Sequence, residues 1–133
     1  MRGTKPELRS DPDAVACLDA PEWMSSDAAA EWDRVMPILS ERRILTVADL
    51  GGLENYCVAI GQVREMERHL QEFGHVIDGP TGLKRNPAVG IQADAMTRAR
   101  LLAAELGLTP VSRSRPAIRE DDPDDGDDPL DLS

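Results

Sequence analysis

Apolar residues recur every three or four positions in three separate stretches of the chain, a spacing typical of amphipathic helices. The first stretch begins at "SSDAAAEW" (25–32), where a serine can cap exposed amides and Asp27 lies near the positive end of the helix dipole. Pro37 removes a backbone donor late in this stretch, which predicts a kink or an early end near "SERR" (40–43). The predicted buried face consists of Ala28, Trp32, Val35 and Leu39.

The second stretch is the longest and opens at "TVAD" (46–49), where Thr46 followed three positions later by Asp49 is similar to a capping box. The predicted helix runs as far as Phe73, and Gly74 is a C-terminal stop. At about 1.5 Å per residue, this helix is roughly 40 Å long. Its apolar stripe changes side along the helix, so we expect its two ends to meet different partners. The stripe consists of Leu50, Leu53, Cys57, Ile60, Val63, Met66, Leu70 and Phe73.

The segment 76–85 interrupts the helical spacing. Apolar residues there flank a group of turn-forming residues, "DGPTG" (78–82), which predicts a short β-hairpin or an ordered loop. Asn86 and Pro87 follow directly. An asparagine cap before a proline at the first helical position is a good start for a helix, because that proline has no donor to lose.

The third helix is predicted to end at Gly107. Beyond it, "LTPVSRSR" (108–115) is a candidate for another short helix that begins at Thr109 and Pro110. The core stripe predicted for the third helix consists of Ala88, Ile91, Ala95, Ala99, Leu102 and Leu106.

Together these elements predict a mostly α fold: a small helical domain with one long central helix and a helix hairpin, a short β-hairpin or loop near 76–85, and disordered termini. We expect a flexible N-terminal arm over 1–20, a helical core over 21–115 and an acidic disordered tail over 116–133. A core of about 95 residues is marginal, so association with further copies would bury more apolar surface.

Charge is distributed in blocks along the chain. The 133 residues contain 15 Lys and Arg against 25 Asp and Glu, a formal net charge of −10. Residues 74–119 nevertheless hold seven basic and three acidic side chains, whereas residues 120–133 hold eight acidic and no basic ones. An acidic average argues against a protein that simply coats DNA, but the basic block predicts a separate electrostatic role for that part of the chain.

Within the basic block, four cations have no acidic residue at helical spacing and fall on predicted turns or at a terminus: Lys84, Arg85, Arg113 and Arg115. They are the better candidates for binding phosphate. Arg100, nearly opposite the apolar stripe of its helix, is a further candidate. For Arg98, four residues after Asp94, an intrahelical ion pair explains the residue at least as well as a phosphate contact. For the group as a whole, contact with DNA and ordinary solvation or subunit pairing are both open.

Catalytic and metal-binding patterns do not stand out. The sequence has no phosphate-binding glycine loop, nucleophile elbow or dinucleotide fingerprint, and neither His69 nor His75 has an obvious acidic or cysteine partner. Cys17 and Cys57 do not form a CxxC pair. We therefore expect no enzymatic activity, no metal and no cofactor. With no apolar run near the roughly 20 residues that cross a bilayer and no signal-peptide pattern, we also expect an intracellular protein that does not enter the membrane.

Three blocks occur in an order that resembles the small subunit of tailed-bacteriophage terminases: "PEWMSSDAAAEWDRVMPIL", "ILTVADLGGLENYCVAIGQV" and "GPTGLKRNPAVGIQADAMTRARLLAAELGLTPVSRSR". The resemblance covers about residues 21–115, and its matching motifs are "LKRNPA" (83–88) and "LGLTPVSR" (106–113). No catalytic residue is carried over with them. Some terminase small subunits contain a helix-turn-helix for DNA, but the long second helix here is poorly suited to be a recognition helix.

The resemblance implies a non-catalytic DNA-packaging subunit of the host cytoplasm. Proteins of this kind form homo-oligomeric rings, recognise the packaging start site in double-stranded viral DNA, and deliver that DNA to the large terminase subunit, which supplies the ATPase and nuclease activities. The basic block, repeated around an assembly, would then hold DNA phosphates. The acidic tail would dock on the large subunit, compete for the same cations, or serve only as a solubilising extension. The alternative function is a helical protein–protein adaptor that does not bind DNA.

Overall fold

The structure, a computed structural model, describes residues 16–43 and 45–110. Its elements confirm the mostly α fold with one long central helix and a short β-hairpin. In chain order they are α1 (Ser26–Arg42), a 3-10 turn (Val47–Asp49), α2 (Leu50–Phe73), β1 (Val76–Gly79), β2 (Gly82–Arg85) and α3 (Pro87–Glu105). The chain divides into two units after Leu102.

Helix α1 begins and ends with local capping interactions. The hydroxyl of Ser25 accepts a hydrogen bond from the amide of Ala28 at 3.2 Å, as the sequence predicts for the N-terminus. The helix continues five residues beyond Pro37 and ends within the "SERR" motif, where Arg43 adopts the left-handed conformation with φ 59°. Pro37 lies on the exposed side of α1, so the carbonyl that loses its helical donor can be solvated by water.

Helices α1 and α2 pack against each other and form most of the core. The predicted face of α1 is fully buried, together with Met36. The two helices approach closely at Gly61 of α2, where an added Cβ would lie 3.0 Å from the backbone nitrogen of Ala28. Because only glycine leaves room for this approach, a larger residue at position 61 would push the two helices apart.

Helix α2 begins as predicted and meets different elements along its length. Thr46 and Asp49 form the reciprocal capping box, although the first turn is a 3-10 helix. Leu53 and Cys57, in the first half of the predicted stripe, are completely buried. At the other end, Phe73 is 56% exposed, so the apolar stripe is not covered by the described residues over its whole length.

Helix α3 is held on α2 by polar contacts that the sequence pattern does not reveal. Gln92 is buried, and its amide donates hydrogen bonds to the carbonyl of Val63 at 3.2 Å and to Glu67 Oε1 at 2.9 Å. Ile91, which we predicted to lie in the core stripe, is 48% exposed. That prediction is wrong because Gln92 can enter the interface with its hydrogen bonds satisfied, which turns its neighbour outward.

Strands β1 and β2 form an antiparallel hairpin, so the structure selects the hairpin over the ordered loop. The pairs run from Val76 opposite Arg85 to Gly79 opposite Gly82, and the turn between the strands has two residues. Every residue of β2 is exposed, and β1 alternates between exposed and half-buried positions. A hairpin of this size is only marginally stable alone, so it depends on its attachment to the helices for its stability.

The second unit contains the end of α3 and the residues after it. The amide of Leu108 donates to the carbonyl of Ala103, the amide of Gly107 donates to Ala104, and Gly107 has φ 75°. This pair of hydrogen bonds around a left-handed glycine is a Schellman motif, and it explains the predicted helix stop. Pro110 has helical backbone, and the remainder of the proposed short helix lies outside the described residues.

Most of the predicted N-terminal arm (1–20) and the whole predicted tail (116–133) lie outside the described residues as well. In the part that the structure describes, the carbonyl of Leu18 accepts a 2.8 Å hydrogen bond from the indole nitrogen of Trp32. The segment just before α1 is therefore attached to the core. The domain boundaries at 20 and 115 stay predictions.

Candidate functional site

Three of the five candidate DNA-binding residues lie in the described part of the chain. Lys84 and Arg85 are exposed on β2, and Arg100 is exposed on α3. Arg113 and Arg115 lie outside the described residues. The site can therefore be built from the hairpin and from α3.

The hairpin directs its two cations to opposite faces. Successive residues of a strand alternate between the faces of a sheet, so Lys84 shares one face with Ile77, its cross-strand partner, and Arg85 shares the other with Val76. Gly79 lies next to the Lys84 side chain: an added Cβ there would be 3.0 Å from Lys84 Cδ. The aliphatic stem of Lys84 therefore crosses the hairpin towards the turn, over a position that has no side chain.

Arg85 extends towards the beginning of α3. An added Cβ at Gly90 would lie 3.8 Å from a terminal nitrogen of the Arg85 guanidinium. Arg100 lies ten residues further along the same helix, about 15 Å away at 1.5 Å per residue. The structure thus brings Lys84 and Arg85 into one element and leaves Arg100 at a distance from them.

Asn86 anchors the base of the hairpin to both neighbouring helices. Its side-chain nitrogen donates to the carbonyl of Gly74 at 2.9 Å, and its side-chain oxygen accepts from the amide of Ala88 at 2.9 Å. Its own amide donates to the carbonyl of His75 at 2.8 Å, which extends the β ladder by one pair. Asn86 is only 2% exposed, so these bonds are protected from water and fix the direction in which the hairpin leaves the helices.

The side chains of Lys84, Arg85 and Arg100 make no hydrogen bond or ion pair within residues 16–43 and 45–110. The acidic residue of the hairpin, Asp78, lies on the same face as Arg85 but two pairs nearer to the turn. The side chain of Arg43 at the end of α1 is likewise without such a partner in this part of the chain, and sequence reasoning did not single it out. Exposed cations in this state are free to contact a phosphate.

Arg98 does not form the intrahelical ion pair with Asp94 that the sequence suggested. Its guanidinium donates a 2.7 Å hydrogen bond to Gln62 Oε1 on α2, and among the described residues it forms no ion pair with Asp94. The side chain reaches across to the neighbouring helix because α2 offers a neutral acceptor at that level. Arg98 thus contributes to the attachment of α3.

The other arginine cluster surrounds a buried carboxylate that sequence reasoning missed. Glu31 on α1 is only 1% exposed, and it accepts a bidentate pair of hydrogen bonds from Arg34 at 2.9 and 2.6 Å. Arg64 of α2 donates to it at 2.9 Å, and the Tyr56 hydroxyl donates at 2.5 Å. The one available signal was its position beside Trp32 in the middle of the apolar face. These contacts join α1 to α2 and occupy the guanidinium groups.

The electrostatics of this cluster follow from burial and hydrogen bonding. Burial opposes ionisation of Glu31, but the hydrogen bonds from Arg34 and Tyr56 outweigh it and lower its pKa. Burial, followed by the bond to the Glu31 carboxylate, raises the pKa of Tyr56 to about 12. Burial also raises the pKa of the Cys57 thiol to about 12, so this thiol is a poor nucleophile at neutral pH.

The described residues also bear on metal binding and membrane insertion. No group of three or more His, Cys, Asp or Glu side chains in these ranges is placed to hold a metal ion. The ring of His69 lies 4.7 Å from that of Phe73, in a tilted arrangement. None of the helices in this part of the chain combines the length and the apolar character that a membrane span requires.

Comparison with known families supports the resemblance that the sequence motifs carry. A family model described as phage terminase, small subunit, matches residues 28–123. Curated proteins and solved structures yield no match. The family match covers well over half of the chain and includes both the "LKRNPA" and the "LGLTPVSR" motifs. This chain belongs to the phage terminase small subunit family.

Proposed function

We propose that this chain is a non-catalytic packaging subunit that binds double-stranded viral DNA through Lys84, Arg85 and Arg100, with Arg113 and Arg115 as further contacts. The supporting observation is that the three described cations are exposed and without an acidic partner among the described residues, in a chain whose net charge is −10. An acidic protein with three such cations between residues 84 and 100 has the charge distribution of a protein with a localised anion-binding surface.

Homo-oligomerisation, as a ring, is part of the same proposal. A few phosphate contacts give weak and salt-sensitive binding, whereas several linked copies bind cooperatively through their effective concentration. Each copy also leaves large apolar side chains uncovered within the described residues. Those on the hairpin and on α3 include Val76, Leu83, Ile91, Met96 and Leu101. Burial of such surface against neighbouring copies would stabilise an assembly.

The partner downstream is the large terminase subunit, to which the oligomer would deliver the bound DNA in the host cytoplasm. The acidic segment 120–133 is the candidate docking element for that subunit, because it carries eight acidic residues and no basic one. The same segment could instead compete with DNA for the cations. Removal of residues 120–133 distinguishes these roles: loss of large-subunit ATPase stimulation favours docking, and tighter DNA binding favours competition.

The test of DNA binding is a salt titration with duplex DNA from the phage genome. The double variant Lys84→Gln, Arg85→Gln should bind at least tenfold more weakly at low salt, and the slope of log affinity against log salt should become shallower by about one for each lost contact. Arg68→Gln is the control for loss of positive charge elsewhere on the chain: it removes one charge, half of what the double variant loses, from an exposed residue that is already paired with Asp27. Equal binding by wild type and the double variant would favour the adaptor without DNA binding.

A further inference from the structure

We propose that the β1–β2 hairpin enters the major groove of duplex DNA turn first, with Lys84 and Arg85 contacting the phosphate backbones on the two sides of the groove. This inference rests on the proposed DNA-binding function and assigns its mode. It begins from the exposure of the hairpin: all of β2 is exposed, and only Ile77 and Gly79 of β1 are half-buried. A two-stranded ribbon with both faces accessible is one of the elements that a major groove admits.

The thickness of the hairpin selects the groove. Sheets stack face to face about 10 Å apart, so one sheet with its side chains is about 10 Å thick. The major groove of B-form DNA is about 12 Å wide and the minor groove about 6 Å wide. The hairpin therefore fits the major groove and is too thick for an undistorted minor groove.

The depth of the groove matches the distance along β2 from the turn to the backbone of the two cationic residues. At about 3.4 Å per residue, Lys84 and Arg85 lie about 7 and 10 Å behind Gly82, the first residue after the turn. The major groove is about 8.5 Å deep. When Gly82 reaches the base edges, the backbone of Lys84 and Arg85 therefore lies near the rim of the groove, and from there their long, exposed side chains can turn to the phosphates.

The alternation of faces gives each cation its own phosphate backbone. In a docking mode where one face of the hairpin lies flat on DNA, either Lys84 or Arg85 would point away from it. Insertion of the turn places the two faces against the two walls of the groove, and both side chains are then used. The anchoring of Asn86 keeps the hairpin in a defined direction while it does so.

The turn and the residues next to it would meet the bases. Thr81 lies in the exposed turn, and a hydroxyl there can donate to or accept from base edges. Asp78 is exposed and one pair behind the turn, deeper in the groove than the phosphates, where a carboxylate accepts hydrogen bonds from the amino group of cytosine. On the Lys84 face the last pair is Gly79 and Gly82, which makes the leading end of the hairpin thin.

The first experiment compares two duplexes of one sequence, unmodified and with bulky glucosyl groups on cytosines that fill the major groove, using the full-length protein. We expect at least tenfold weaker binding to the filled duplex, while a minor-groove ligand, distamycin, changes the affinity less than twofold. Equal binding to both duplexes, or displacement by distamycin, would overturn groove insertion and leave the proposed DNA-binding function standing. Failure to bind either duplex at low salt would overturn both.

The second experiment separates the two sets of contacts. Lys84→Ala should weaken binding to all genome fragments by a similar factor and reduce the salt slope by about one. Asp78→Asn should leave the salt slope unchanged and reduce the ratio of affinities between the strongest and weakest fragments. Asp78 and Lys84 are both exposed, so neither change is expected to unfold the chain, and a thermal melt checks this. If Asp78→Asn instead bound all fragments more tightly by the same factor, the ratio between the strongest and weakest fragments would be unchanged. That result would contradict a contact between Asp78 and a base, and with it the insertion of the turn to the depth of the bases.

Discussion

The helix pair α1–α2 and the β1–β2 hairpin both present cationic side chains, but they use them in different ways. In the helix pair, Arg34 and Arg64 donate to the buried Glu31, and Arg68 pairs with Asp27. In the hairpin, the side chains of Lys84 and Arg85 have no partner within the described residues. The first arrangement holds two helices together, whereas the second leaves positive charge available for a ligand.

Burial explains this difference. A carboxylate that is 1% exposed must be compensated by charge and hydrogen bonds, so Glu31 requires the surrounding guanidinium groups. The only acidic residue of the hairpin, Asp78, is exposed and solvated by water. An arginine therefore cannot be assigned to DNA or to the core from its charge alone. For Arg34 and Arg64, the burial of Glu31 decides the role.

Replacement of the buried carboxylate should have the largest effect on stability. Glu31→Gln removes a charged acceptor from Arg34, Arg64 and Tyr56, and we expect a loss of about 2–3 kcal/mol in the free energy of unfolding. The half-exposed arginines can then be hydrated, which keeps the loss below that of a fully buried pair. Urea unfolding, with the dependence of the free energy on urea concentration fitted for each variant, measures this loss. Lys84→Gln is the control and should change stability by less than about 0.5 kcal/mol. If both variants lost a similar amount of unfolding free energy, the cations of the hairpin would be structural as well, and the contrast between the helix pair and the hairpin would not hold.

The same carboxylate predicts a dependence of stability on pH. Folding lowers the pKa of Glu31 below its ordinary value of 4.5, so the cluster contributes its full stability above that value. The contribution is lost as the pH falls through the lower pKa of the folded state, where the carboxylate is protonated. The difference in unfolding free energy between wild type and Glu31→Gln should therefore shrink as the pH decreases below about 4.5. A constant difference from pH 7 to pH 3 would show that the charge of Glu31 is not responsible.

Asn86→Ala tests how firmly the hairpin is held. The variant loses the cap of α3 and the buried hydrogen bond to the carbonyl of Gly74, so we expect a loss of about 1–2 kcal/mol and weaker DNA binding at low salt. Asn86→Ser keeps a capping oxygen and should lose less than Asn86→Ala. Amide hydrogen exchange at Lys84, whose amide faces Ile77 in a hydrogen-bonded pair of the ladder, would measure the opening of the hairpin directly. Unchanged exchange in Asn86→Ala would mean that the anchor is not needed.

The smallest effect is expected from the exposed ion pair between α1 and α2. Arg68 is 62% exposed, so Arg68→Gln should lower the free energy of unfolding only slightly, and by less at high salt. Its affinity for duplex DNA should equal that of the wild type within about twofold, since the lost charge was already neutralised by Asp27. A tenfold weaker affinity in Arg68→Gln would extend the DNA-binding surface to the helix pair and remove the contrast with the hairpin.

Signals that act over a few residues were read correctly from the sequence. The serine cap of α1, the capping box of Thr46 and Asp49, and the glycine stop at position 74 all lie where the pattern predicted them. Asn86 and Pro87 likewise mark the start of α3. These features depend on hydrogen bonds between residues at most four positions apart, so local chemistry is sufficient to specify them.

Contacts between distant residues were not readable in this way. Gln92 is buried because Val63 and Glu67 accept its hydrogen bonds, and the sequence pattern favoured Ile91 at that place. The turn residues 78–82 indicated a hairpin or a loop, and only the register showed that Lys84 and Arg85 lie on opposite faces. The helix periodicity of α3 could not show that Arg98 reaches Gln62 on another helix.

The sequence by itself determined where the helices of this chain begin and end, and that residues 74–119 carry a net positive charge within an acidic chain. The tertiary structure alone decided which arginines are neutralised, because Glu31 and Arg64 are 33 positions apart and meet only when α1 packs on α2. Capping is a local equilibrium within one turn of helix. The compensation of a buried charge requires the packed interface that removes it from water.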